Sequence, residues 1–104
     1  MDITVTELKK RMDAGDKSFV LIDVRETYEY EEFNIGARLI PLGTLPEALD
    51  ELFENNKDSE IVLHCRSGAR SGQATAFMMA NGFTNVRNLE GGMIAWASEF
   101  GVKS

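Results

Sequence analysis

Ile61-Val62-Leu63-His64-Cys65-Arg66-Ser67-Gly68-Ala69-Arg70-Ser71 is the stretch on which the reading of this chain turns. An apolar run stops at the one cysteine in the sequence. A small polar loop flanked by two arginines follows, and then a helical pattern begins. A run with no polar side, such as Ile61 to Leu63, suits a strand covered on both faces of a parallel sheet. Gly68 lets the backbone close tightly around a ligand. A helix starting just beyond would point its amides and its positive dipole end back at the thiol. The local plan is therefore strand, loop, helix, with a thiol at the carboxyl end of the strand.

Working toward the N-terminus, Asn55 to Ser59 is a polar loop. Leu45, Ala48, Leu49, Leu52 and Phe53 form an apolar helical stripe, headed by the capping-box signature Thr44-Leu45-Pro46-Glu47. Arg38 to Pro41 reads as a short strand stopped by proline, and Asn34 to Ala37 as a turn. The acid-rich segment from Asp23 to Phe33 carries a short helix from about Thr27. Phe19 to Ile22 is a second continuous apolar strand, ending at Asp23. Thr4 and Glu7 form another capping box, with Val5, Leu8 and Met12 at helical spacing and Gly15 at the end. Toward the C-terminus, Ala74, Phe77 and Met78 continue a helix that stops at Asn81-Gly82. A strand around Val86 lies within Phe83 to Leu89. Gly91-Gly92 opens a last helix carrying Met93, Trp96, Ala97 and Phe100, with Gly101 as its cap.

Strands alternate with helices throughout. The pattern predicts an α/β fold: one domain over residues 1–104, with a mainly parallel central sheet and helices on both faces. Sites in such sheets lie beyond the carboxyl ends of the strands, where Asp23 and Cys65 both fall. A formal net charge of −6 argues against a general nucleic-acid partner. No apolar run approaches the roughly 20 residues that span a bilayer, and the first residues lack the basic-then-apolar order of a signal peptide. No membrane association is expected, and the cytoplasm is the expected compartment. One histidine and one cysteine, adjacent in sequence, have no ligand-type spacing. Neither a metal nor another cofactor is expected.

A thiol reacts as its thiolate. Converging loop amides, a helix N-terminus and the charges of Arg66 and Arg70 would each lower its pKa. His64, next to Cys65 on a strand, should face the other way and reads as structural. The run Glu26, Glu29, Glu31 and Glu32 reads as a solvated face rather than a docking surface. Tyr28 and Tyr30 read as partly core and Trp96 as core. Gly91-Gly92 reads as permitting tight entry into the last helix rather than as a phosphate site. With no second cysteine, a transfer cycle needs an external acceptor.

His64-Cys65-Arg66-Ser67-Gly68-Ala69-Arg70-Ser71 resembles the active-site loop of single-domain rhodaneses, the thiosulfate sulfurtransferase family. Leu21-Ile22-Asp23-Val24-Arg25-Glu26, Ile35-Gly36-Ala37, Ile40-Pro41-Leu42, and Asn88-Leu89-Glu90-Gly91-Gly92-Met93 with Trp96 resemble its other segments, in the same order. The resemblance implies a rhodanese-like domain and a double displacement. Cys65 would take a sulfur from thiosulfate or another sulfane-sulfur donor as a persulfide. It would then pass the sulfur to cyanide, a thiol or a protein cysteine. It also implies that Arg66, Ser67, Gly68, Ala69, Arg70 and Ser71 cradle the substrate, and that Asp23, Arg25 and Glu26 brace the loop through charge-assisted hydrogen bonds. Asn34 stands where family members usually carry histidine; it reads as a structural replacement able to hydrogen-bond within a turn. Four residues separate Cys65 from Arg70, one fewer than in the related cysteine phosphatases and arsenate reductases. The shorter ring suits a single sulfur and sets phosphate chemistry second. A persulfide-relay or protein-binding module is the remaining alternative.

Overall fold

Ile61, Val62 and Leu63 are all fully buried, and they alternate between two apolar layers on opposite faces of one sheet. The computed structural model describes residues 2–101. In chain order the elements are β1 (Asp2–Ile3), α1 (Val5–Asp13), β2 (Phe19–Asp23), α2 (Thr27–Glu32), β3 (Arg38–Leu39), α3 (Leu45–Asn56), β4 (Glu60–His64), α4 (Ala69–Ala80), β5 (Val86–Leu89) and α5 (Gly92–Phe100). A 3-10 turn, Leu42–Thr44, leads directly into α3. The sheet order is β1-β5-β4-β2-β3, and every pairing is parallel. The expected α/β fold with a parallel sheet is what the chain adopts. Among the described residues no helix is long and apolar enough to cross a membrane.

The pleat distributes the core. Ile22, Val24, Ile61, Leu63 and Cys65 face one layer, where Leu45 and Leu52 of α3 and Ala74 and Met78 of α4 meet them. Val62 and Leu89 face the other, against Val5 and Leu8 of α1 and Met93 and Trp96 of α5. Each fully buried aliphatic side chain contributes about 1.5–3 kcal/mol of transfer free energy. The strongest burial lies on β4, the central strand. That strand ends at the cysteine, so the densest part of the core fixes where the thiol stands.

Local chemistry sets the element ends. Thr4 Oγ1 accepts the Glu7 amide at 3.1 Å, and Glu7 Oε1 accepts the Thr4 amide at 3.3 Å, so the first capping box forms as expected. The second does not. Thr44 is already helical in its backbone, and its hydroxyl donates to the Pro41 carbonyl at 2.8 Å, because the 3-10 turn has taken the place of an extended cap. Helix α3 also runs on through Asn55 and Asn56, which read as loop. The strand β1 has no signal in a two-residue sequence; it exists because Asp2 and Ile3 pair with Asn88 and Leu89. Phe77 is exposed although Ala74 and Met78 are buried, since the buried stripe of α4 is narrow.

Candidate active site

Cys65 is the first residue past β4. Its side chain turns into the α3/α4 layer and is only 1% exposed. Gly68 then takes a left-handed conformation, φ +104°, which only glycine adopts readily, and α4 begins at the next residue. This bend folds the loop back over the sulfur. The Gly68 amide donates to Sγ at 3.1 Å, and the Ser71 amide and hydroxyl each donate to it at 3.3 Å. Burial pushes the thiol up. The Ser71 hydroxyl and the amides of Ser71, Gly68 and Ser67 more than offset this, so its pKa lies below the ordinary value.

Arg70 does not hydrogen-bond the sulfur. Its guanidinium forks onto Glu29 of α2, Nη1 to Oε1 at 2.8 Å and Nη2 to Oε2 at 3.0 Å. The arginine holds Glu29 at a pKa of about 2 and is itself stabilised in its charged form. Glu29 is therefore no solvated face residue. It clamps the first turn of α4 to α2, and it also accepts the Glu26 amide at 2.9 Å.

Asp23, Arg25 and Glu26 are not bonded to the loop as the resemblance implied. Asp23 and Arg25 are buried and bind one another through both carboxylate oxygens, at 2.8–3.0 Å. Arg25 also donates to the Phe33 carbonyl at 2.7 Å. They fix the turn from β2 into α2 and the exit from α2. Glu26 is exposed at the start of that helix. Asn34 makes the turn it was expected to make, accepting the Gly36 amide at 2.9 Å and donating to the Tyr30 carbonyl at 3.0 Å. Tyr28, read as partly core, is 71% exposed, whereas the hydroxyl of half-buried Tyr30 donates to the Ala37 carbonyl.

The start of α5 closes the back of the loop. The Met93 and Ile94 amides donate to the Cys65 and Arg66 carbonyls, both at 3.0 Å. Gly92 makes this possible, since any Cβ there would collide with those two carbonyls. The Arg66 side chain, exposed like those of Ser67 and Ala69, stands at a cleft of about 480 Å³ between α2 and α5. Arg25, Tyr28, Phe33, Met93 and Ile94 also line it.

His64 is fully buried, and neither ring nitrogen has a hydrogen-bond partner among the described residues. Burial, only partly opposed by Asp23 at 3.9 Å, lowers its pKa to about 4. It is neutral near pH 7. One residue escaped the sequence reading: Asn88 of β5. Its Nδ2 donates to the Gly68 carbonyl at 3.1 Å, and its Oδ1 meets the Ser71 hydroxyl. Its only sequence signal was membership of the Asn-Leu-Glu-Gly-Gly segment; the register that sets Asn88 opposite Leu63, two residues before the thiol, comes from strand pairing.

The description "Rhodanese-like domain" fits residues 4–99. A sulfurtransferase of Allochromatium vinosum is 38% identical over 97 residues, covering 92% of this chain and 87% of that protein. The tRNA uridine(34) hydroxylase of Photorhabdus laumondii is 39% identical over 95 residues, but the match covers only 26% of that longer protein. The crystal structure of a rhodanese-like domain protein from Staphylococcus aureus superposes with a TM-score of 0.83 at 34% identity, covering 99% of this chain and 97% of that one. With residues 4–99 matched to the family and the fold shared over 99% of its length, this chain belongs to the rhodanese-like domain family.

Proposed function

We propose that the protein is a sulfurtransferase whose Cys65 carries sulfur as a persulfide. The observation that carries this reading is the ring of donors at 3.1–3.3 Å around one buried sulfur. Such a ring stabilises an anionic sulfur without a base, and the adjacent histidine supplies none. The Cys65 thiolate attacks the outer sulfur of thiosulfate or of another sulfane donor. The donor S–S bond breaks, and its electron pair leaves with sulfite or with the donor thiolate. A nucleophile such as cyanide, a thiol or a protein cysteine then attacks the outer persulfide sulfur and returns Cys65 as thiolate. The chain's one cysteine makes an external acceptor obligatory. A reducing compartment such as the cytoplasm keeps that thiol free.

A ring closed this tightly around one sulfur favours sulfur transfer over phosphate chemistry. The second reading is a persulfide relay to a protein partner. The match to one quarter of a larger protein supports it, since the same domain there accompanies other chain.

Intact-mass spectrometry after thiosulfate treatment is the test. A gain of one sulfur, about 32 Da, is expected on the protein. It should disappear on adding cyanide and be absent in Cys65→Ser. No gain from thiosulfate or from any persulfide donor, or a gain that survives in Cys65→Ser, would sink the proposal. Slow loading from thiosulfate with fast loading from a protein persulfide would favour the relay.

A further inference from the structure

The Ser71 hydroxyl has one proton and two neighbours that can accept it. Its oxygen lies 3.3 Å from Cys65 Sγ and within hydrogen-bond distance of Asn88 Oδ1. The Asn88 amide has no freedom to flip, because its NH2 end donates to the Gly68 carbonyl. Its oxygen is thereby committed to face Ser71, and a carboxamide oxygen can only accept. When Cys65 is a thiol, the sulfur can donate to Ser71 Oγ while the hydroxyl donates to Asn88. When Cys65 is a thiolate it has no proton to offer, and the same 3.3 Å contact is favourable only with the hydroxyl turned toward sulfur.

We propose that Asn88 is a positioning residue that competes with Cys65 for the Ser71 hydroxyl proton, so that one O–H rotation tracks the charge on the sulfur. Ionisation sends the thiol proton to solvent, and the Ser71 proton turns from Asn88 to Sγ. In a persulfide the charge sits on the outer sulfur, and the hydroxyl returns to Asn88. The same amide holds the Gly68 carbonyl, so β5 sets both the shape of the loop and the proton arrangement within it. The role rests on Cys65 being the reactive thiol.

The test reads Cys65 ionisation, by thiolate ultraviolet absorbance against pH, and needs no turnover; the chain has a single cysteine. Ser71→Ala is measured in three backgrounds. The other charged and titratable groups on the loop and on the elements packed about it are Arg66, Arg70 on α4, Glu26 and Glu29 on α2, Asp23 and Arg25 at the end of β2, and His64 on β4. They are identical in all variants. Ser71→Ala should raise the Cys65 pKa by about half a pH unit in the native background, where the hydroxyl must leave Asn88 to serve the thiolate. In Asn88→Ala, with no competitor, the rise should reach about one pH unit. In Asn88→Asp, where a carboxylate retains the hydroxyl, the rise should vanish. Equal rises in all three backgrounds would overturn the proposal and leave Asn88 as a tether for Gly68 alone. If Asn88→Ala fails to fold, a full rise surviving in Asn88→Asp is enough to overturn it. Failure of persulfide formation with this coupling intact would instead count against the sulfurtransferase reading.

Discussion

At the scale of single residues, the clamp between Glu29 and Arg70 ties the helix that follows the candidate loop to α2. Glu29→Gln keeps the shape but removes the charge from a forked, partly buried pair. Urea unfolding should show a loss of about 1–2 kcal/mol, and sulfur loading of Cys65 should slow. Unchanged loading would mean that α2 supports the fold and not the loop. Glu29 was not legible as a clamp because it sits in a run of acids, and its partner lies 41 positions further along the chain. A charged side chain chooses its partner by where the backbone brings the opposite charge, which composition does not record. Cys65 and Ser71 were legible, since a six-residue separation across one tight turn is local geometry.

Among elements, the start of α5 and the start of α1 make a useful contrast. Gly92→Ala forces a Cβ into the Cys65 and Arg66 carbonyls at a positive φ. It should cost about 2–3 kcal/mol in urea unfolding and impair sulfur loading together. Thr4→Ala removes a capping box on the far side of the sheet. It should cost about 1 kcal/mol and leave loading intact. If both variants lost stability alone, the packing of α5 on the loop would be structural only. The two glycines were readable as a tight entry into the helix, and the structure adds that Gly92 approaches the Cys65 and Arg66 carbonyls. That Gly92 meets the back of the cysteine loop depends on β5 lying beside β4. The failed capping box at Thr44 teaches the converse: a local signature yields when the preceding chain is already wound into a 3-10 turn.

For the whole molecule, the buried neutral histidine dictates a pH response. His64 has a folded pKa of about 4, against 6.5 for a free imidazole. Between these values the unfolded chain takes up a proton that the folded chain refuses. Stability is therefore fully present above about pH 6.5 and falls as pH drops toward 4, with a slope of about one proton, near 1.4 kcal/mol per pH unit. Glu29, held at about 2, acts in the same direction over the more acid range from 4.5 downward. Urea midpoints measured from pH 7.5 to 4.5 should decline in the native protein. They should flatten in His64→Phe, which keeps a buried ring and has nothing to titrate. An equal decline in both would assign the effect to the carboxylates.

The alternation of apolar runs with helical stripes, the two strands covered on both faces and the thiol at a strand's carboxyl end were all determined by the sequence alone. Each depends on neighbours a few residues apart, where periodicity and turn chemistry act directly. Only the tertiary structure decided that β1 exists, that Glu29 rather than Glu26 secures the loop, that Asp23 and Arg25 act on α2, and that Asn88 reaches the Ser71 hydroxyl. Apart from the Asp23–Arg25 contacts, which span two to eight residues, each of these is a pairing between distant parts of the chain. The order of strands in a parallel sheet determines such pairings, and no local pattern encodes which carbonyl, carboxylate or amide that order will bring within 3 Å.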